Sequence, residues 1–211
     1  KNYDFSKGFN ILLNFLSADL SGVYLDVCKD RLYCDAKNAP RRRSAQSAMA
    51  IITKALLPLI APTLTYTVDE VMDYAPKIIK GDAKDAFDLV YEPIKFDLSF
   101  EDELLFASRE KFNEIVDVLK KEKKIKSTLE LSLETTNHNI TSYDEREAAD
   151  LYMVSSVRPY DDSEPLAEFE LEGDKFKIIA SNLHKCPRCW KFNASKEDAL
   201  CPRCEEVISA K

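Results

Sequence analysis

Cys186-Pro187-Arg188-Cys189-Trp190 is answered eleven residues later by Cys201-Pro202-Arg203-Cys204. Two Cys-x-x-Cys turns deliver four thiolates, which is what the tetrahedral preference of Zn²⁺ requires, and the doubled form is a strong metal signal. The reading is one structural zinc ion held by Cys186, Cys189, Cys201 and Cys204. Four sulfurs leave no open coordination position, so such a metal shapes a surface and performs no chemistry. A pair of disulfides, or four unrelated thiols, is the alternative that the repeated knuckle argues against. His184, two residues ahead of Cys186, is a substitute ligand only if one cysteine is not used.

Outward from this stretch, 211 residues with 45% hydrophobic side chains suffice for a core and for one to two domains. No uninterrupted apolar run has the length of a bilayer span and the first residues carry no signal pattern, so a soluble, cytoplasmic chain without a membrane partner is expected. In that compartment six cysteines point to metal and not to disulfides. Cys28 and Cys34, left over in an apolar helical stretch, read as inert buried thiols.

A net charge of −7 argues against nonspecific coating of nucleic acid. The charge is uneven, however. Residues 29–54 hold seven cations, Arg31 and Arg41-Arg42-Arg43 among them, against two carboxylates, whereas residues 82–103 hold eight carboxylates against two lysines. A polyanionic partner has to meet a local patch.

The first third has helical periodicity. Phe5, Phe9, Leu12, Leu13, Leu16 and Leu20 share a stripe, and Gly22 is expected to interrupt it or to mark a close helix contact before a rotated stripe continues to Leu32. Asp35 to Pro40 form a polar connection. A further helix is expected from about Arg43, ending around Pro58 and Pro62, and Thr67-Val68-Asp69-Glu70 has the form of a capping box for a short helix that stops before Pro76. Residues 77–98 lose periodicity and read as an acidic linker or surface loop. Ser99 then caps a long helix running to the lysines at 120–124.

Leu129, Leu131 and Leu133 alternate with polar residues as in a half-buried strand, and Ser142 to Glu145 read as a second capping box. Residues 152–157 read as a strand, and the run from Ala167 to Ala180 as a hairpin turning at Gly173-Asp174. The expected fold is mainly α: an antiparallel helix bundle (1–80), an acidic linker (81–98), a small α+β unit (99–180) and a Cys₄ zinc knuckle (181–211). No phosphate loop, nucleophile elbow or histidine pair occurs, and His138 has no evident partner. Carboxylates on helix faces and linkers suit solvation or capping better than acid–base catalysis.

Lys29-Asp30-Arg31-Leu32-Tyr33, Arg43-Ser44-Ala45-Gln46, Leu57-Pro58-Leu59-Ile60-Ala61-Pro62 and Thr67-Val68-Asp69-Glu70 resemble the helical anticodon-binding domain of class I aminoacyl-tRNA synthetases. The doubled knuckle followed by Trp190 is similar to the terminal zinc knuckle of the bacterial isoleucyl members. Met72 departs from the tryptophan usual there. The family's catalytic signatures do not occur, so the resemblance implies a C-terminal piece lacking an earlier helix of the bundle. It implies recognition of the anticodon stem-loop of isoleucine tRNA for ATP-dependent aminoacylation by upstream catalytic and editing domains, in a monomer. Taken alone, this stretch should be inactive. Single-stranded RNA is commonly held by aromatic stacking and cations, so Trp190, Arg188, Lys191 and Arg203 near the zinc, and Arg31, Arg41, Arg42 and Arg43, are the expected tRNA contacts. Trp190 reads equally as core over the knuckle. The rival readings are the zinc finger of a formamidopyrimidine-type DNA glycosylase and a noncatalytic zinc adaptor that binds protein.

Overall fold

The computed structural model describes residues 4–94 and 103–210. A helical N-terminal part is followed by a small four-stranded sheet and, at the end, four cysteines brought close together. The chain forms two compact units, one of Lys1–Asp35 with Glu101–Lys211 and one of Ala36–Phe100.

The first unit opens with a continuous helix. Asp4 accepts from the Lys7 N–H (3.0 Å) and starts α1 (Phe5–Asn14), a π-helical segment follows (Phe15–Leu25), and α2 (Asp26–Cys34) ends at the extended Asp35. Gly22 does not interrupt the helix as expected. It lies in the wider π segment, where a Cβ would stand 3.2 Å from the Ser17 carbonyl oxygen, so a residue without one fits best. By length and composition the helix Phe5–Cys34 is apolar enough to cross a bilayer, against the expectation that no segment is. One such helix is weak evidence for a membrane. Its apolar residues are in large part exposed, Phe5 and Ile11 among them.

The core of this unit is built by α6 (Glu103–Lys121) against the sheet. Leu105, Phe112, Val116 and Leu119 recur at helical spacing and are buried, and Lys120 and Lys121 occupy the last turn, where cations suit the dipole. Phe112 meets Tyr152 edge to face at 5.6 Å, and the tyrosine hydroxyl lies 2.6 Å from the Ser108 hydroxyl, which satisfies a buried polar group. The expected cap at Ser99 lies outside the described residues.

The sheet has the order β2-β1-β4-β3. β1 (Leu131–Thr135) runs parallel to β2 (Ser156–Pro159) and antiparallel to β4 (Asp174–Ala180), which pairs in turn with β3 (Ala167–Leu171). β1 was expected to be half-buried but is buried throughout, because it is a central strand whose polar face is also covered: Glu134 accepts from the Ser163 hydroxyl (2.8 Å) and the Asp161 N–H (3.3 Å). The hairpin turns at Glu172-Gly173, one position earlier than expected. Both residues have positive φ, 53° and 87°, which suits the twist of a two-residue connection. Before β2 come α7 (His138–Ser142), capped by Asn137 and holding an exposed His138, and α8 (Glu145–Leu151). The cap of α8 is Asp144, accepting from Arg146 N–H at 2.8 Å, not Ser142.

In the second unit α3 spans Pro40–Ile60, with Pro40 at the first helical position, where its fixed φ and missing N–H cost nothing. Arg41–Arg43 therefore lie inside its first turn, since the helix starts before the expected Arg43. α4 (Thr65–Tyr74) starts ahead of the predicted capping box: Thr67 is interior, and the Asp69 carboxylate accepts from the Ala86 N–H (3.3 Å). Residues 77–94 fold back in this unit through α5 (Lys77–Lys80) and a 3₁₀ turn (Ala86–Asp88). Ile79, Ala83, Ala86 and Leu89 join a small core of Leu57, Ala61, Val68 and Met72.

Candidate metal centre

Each knuckle is a tight turn fastened to ordered structure. In the first, Trp190 N–H donates to the Cys186 carbonyl and Cys186 N–H to the Lys191 carbonyl, both at 2.9 Å. The returning chain is tied to the sheet: Phe192 N–H donates to the Ser155 hydroxyl, Asn193 Nδ2 to the Ser155 carbonyl (3.0 Å), and His184 and Ala194 exchange both backbone bonds at 2.9 Å. In the second, Cys201 precedes α9 (Pro202–Ser209) and Cys204 lies in its first turn, where free amides and the dipole favour a thiolate.

The four Sγ atoms lie within 4.8 Å of one another. Cys186, Cys201 and Cys204 are buried, Cys189 is half-buried, and none is in a disulfide. Cys201 N–H points at Cys186 Sγ (3.3 Å), and Cys189 Sγ is 3.7 Å from Cys201 Sγ. Burial pushes the Cys186 thiol up, but backbone N–H groups of Cys189, Cys201 and Arg188 outweigh it and bring the group down to about 6. Burial raises Cys189 and Cys201, each also disfavoured by neighbouring thiolates. Four converging sulfurs, some raised by mutual repulsion and one already eased toward the thiolate, fit a soft-ligated divalent cation. The apolar core of this stretch consists largely of the cysteines themselves, with Ala194 and Leu200. His184 is exposed and engaged through its backbone; it is outside the cluster.

Among the expected RNA contacts near this centre, Trp190 stands apart. It is 61% exposed, in a left-handed turn (φ 66°), with Lys185 Nζ 5.5 Å from the ring centroid, so it is not core. The cations are held inside the unit. Lys191, 5% exposed, pairs with Asp150 at 2.8 Å, and Arg31 Nη2 is 3.6 Å from the other oxygen of that fully buried carboxylate. Arg203 forks onto Asp30 (Nη2 to Oδ1, 2.7 Å; Nη1 to Oδ2) and reaches Asp35 at 3.3 Å. Burial opposes its charge, but the Asp30 hydrogen bonds outweigh this and hold the guanidinium firmly protonated. Arg188 donates to the carbonyls of Cys34 (2.6 Å) and Tyr33 (3.5 Å) and to Cys204 Sγ (3.3 Å).

Cys28 and Cys34 are buried, as expected. Burial, with the Asp30 charge beside it, pushes the Cys34 thiol up to about 11, which makes it a poor nucleophile. A cleft of about 600 Å³ adjoins the centre, with Tyr33, Asp150, Met153, Trp190 and Lys191 on its walls. In the other unit, Arg41 and Arg42 are half-buried, while Arg43 is exposed and reaches Gln46 at 3.4 Å. Sequence reasoning missed Asp30, Asp35 and Asp150. They are separated from their partners by 41 to 173 positions, and no local spacing announces them.

A family profile, the anticodon-binding domain of tRNA ligase, matches residues 1–135. Over its whole length the chain is 97% identical to an isoleucine–tRNA ligase of Campylobacter concisus strain 13826. It is 74% identical over 208 residues, 99% of its length, to that of Campylobacter curvus, and 63% identical over 214 aligned positions, all of its length, to that of Campylobacter hominis. It spans 23% of the length of each of these relatives.

Proposed function

Because the chain belongs to the family of anticodon-binding domains of tRNA ligases, we propose that it recognises the anticodon stem-loop of isoleucine tRNA as part of a longer, cytoplasmic, monomeric, ATP-dependent ligase. In this reading catalysis and editing reside in other domains. The helices up to Lys80 contribute to the helical anticodon-binding part, residues 103–180 form a junction, and residues 181–210 carry the metal.

The observation that carries the reading is Trp190, a large aromatic ring exposed on a four-cysteine centre in a chain of this family. A splayed base offers such a ring a face to stack on, worth about 1–3 kcal/mol per base. Zn²⁺ is the ion we propose at Cys186, Cys189, Cys201 and Cys204; bound there, it would hold both turns in shape and supply no reaction chemistry. The chain's own residues do the rest. Backbone N–H groups aimed at Cys186 ready it for metal, the left-handed turn aims Trp190 outward, and the first turn of α3 presents Arg41, Arg42 and Arg43 where free amides already favour phosphate. These four are the proposed RNA contacts. Arg31, Arg188, Lys191 and Arg203, bound to carboxylates or carbonyls of unit 1, serve by holding the surface together.

The test is a binding competition with the full-length protein. Isoleucine tRNA should be displaced poorly by duplex DNA of equal length or by the same tRNA with an altered anticodon. Competition by either of these as strong as by isoleucine tRNA itself would overturn the proposal, and preference for the duplex would favour the glycosylase reading. The chain alone should show no isoleucine-dependent pyrophosphate exchange.

A further inference from the structure

Both knuckles carry arginine between the proline and the second cysteine, a position for which a metal has no use. The two guanidiniums run to one target, the C-terminal end of α2. Arg188, from the first knuckle, donates to the carbonyls of Tyr33 and Cys34, groups at a helix end that have no intrahelical partner. Arg203, from the second, forks onto the Asp30 carboxylate in the same last turns and touches Asp35, the residue that ends the helix and the first segment of the unit. The Arg203–Asp30 pair is largely buried, with side chains 10% and 13% exposed, so it is little screened by solvent, and the fork geometry is one that lysine cannot reproduce. Arg188 also points at Cys204 Sγ at 3.3 Å, linking one knuckle's arginine to the other knuckle's ligand.

We infer that Arg188 and Arg203 are a latch that fixes the end of α2 to the metal centre, and that they act on RNA binding as positioning residues, not as phosphate contacts. Each arginine reaches α2 only while its knuckle is folded, and the knuckles, whose core is their own cysteines, depend on the metal for that fold. Metal occupancy and the order of the helix end are thereby one equilibrium. The chain leaves unit 1 at Asp35, and Arg41 follows six positions on. The part of the inference that concerns RNA rests on the function proposed above; the part that concerns metal does not.

Asp30→Asn in the full-length protein separates the two roles by sign. Were Arg203 a phosphate contact, loss of the Asp30 charge would release it and strengthen tRNA binding. A latch predicts binding weakened about fivefold or more, an unchanged log–log salt slope, and partial recovery in Asp30→Glu. Separately, Arg188→Ala should weaken Zn²⁺ retention against a chromogenic chelator by about 10- to 100-fold, the usual effect of losing a partner of a metal ligand. Tighter or unchanged tRNA binding by Asp30→Asn, no recovery in Asp30→Glu, or unchanged Zn²⁺ retention by Arg188→Ala overturns the latch. If the unaltered protein does not prefer tRNA, the RNA-binding reading falls instead, and the Zn²⁺ arm still decides the latch.

Discussion

Trp190 combines two features that rarely coincide in a residue kept for packing: a positive φ of 66° and 61% exposure. Left-handed backbone is uncommon for a bulky side chain and costs on the order of 1 kcal/mol, so the turn holds the ring outward at some expense. Trp190→Ala should therefore weaken tRNA binding by about 1–3 kcal/mol while leaving Zn²⁺ retention and thermal stability close to the parent's. Titration of labelled tRNA alongside a metal-release assay checks both halves, and lost stability with unchanged affinity would return Trp190 to a packing role. In the sequence the cysteine ligand set is legible because both knuckles are local, whereas the choice between stacking and core for Trp190 is not, since it depends on the sign of one backbone angle. Lys191 and Arg203 are misleading for the same reason in reverse. Their charges suggest solvent, and only folding supplies Asp150 and Asp30.

At the scale of elements, the start of α3 is the sharpest case. Arg41, Arg42 and Arg43 lie in the first turn, facing the positive end of the macrodipole, at a cost of roughly 0.3–1 kcal/mol per close group. Replacing all three with alanine should leave helix stability unchanged or raised. It should weaken tRNA binding and make the log–log salt slope shallower by about 0.7–0.9 for each phosphate that is no longer neutralised. An affinity series from low to moderate salt reads this directly, and a slope and affinity like the parent's would leave the three without an RNA role. The sheet side allows a stability prediction. Phe112→Ala removes a fully buried ring packed on Tyr152 and should cost about 3–5 kcal/mol, read by denaturant unfolding. The helical stripes and the hairpin are visible in the sequence as periods of 3.6 and 2. Less visible are the start of α3 at Pro40, the cap at Asp144, and the full burial of β1, which follows from its central place in the sheet order and not from its alternating residues.

Across the whole molecule the chain order and the compact units do not coincide: Lys1–Asp35 groups with Glu101–Lys211, while Ala36–Phe100 forms its own core. Local periodicity has no means of joining segments with 65 residues between them, and the carboxylate partners that join the end of α2 to the knuckles lie 168 to 173 positions away. Removing the metal by chelation should raise backbone hydrogen exchange in the knuckles and at the end of α2, leaving β1, β4 and α6 protected by their separate hydrophobic core. Uniform loss of protection would instead make the metal a global folding requirement. Everything proposed for function depends on this chain meeting the anticodon arm of isoleucine tRNA. A nuclease footprint of that tRNA on the full-length protein, with and without Arg41, Arg42 and Arg43, tests this in one measurement. Protection is expected across the anticodon stem and loop, with the stem protection lost in the triple alanine variant. An anticodon arm cut as fast in the complex as in free tRNA would contradict it.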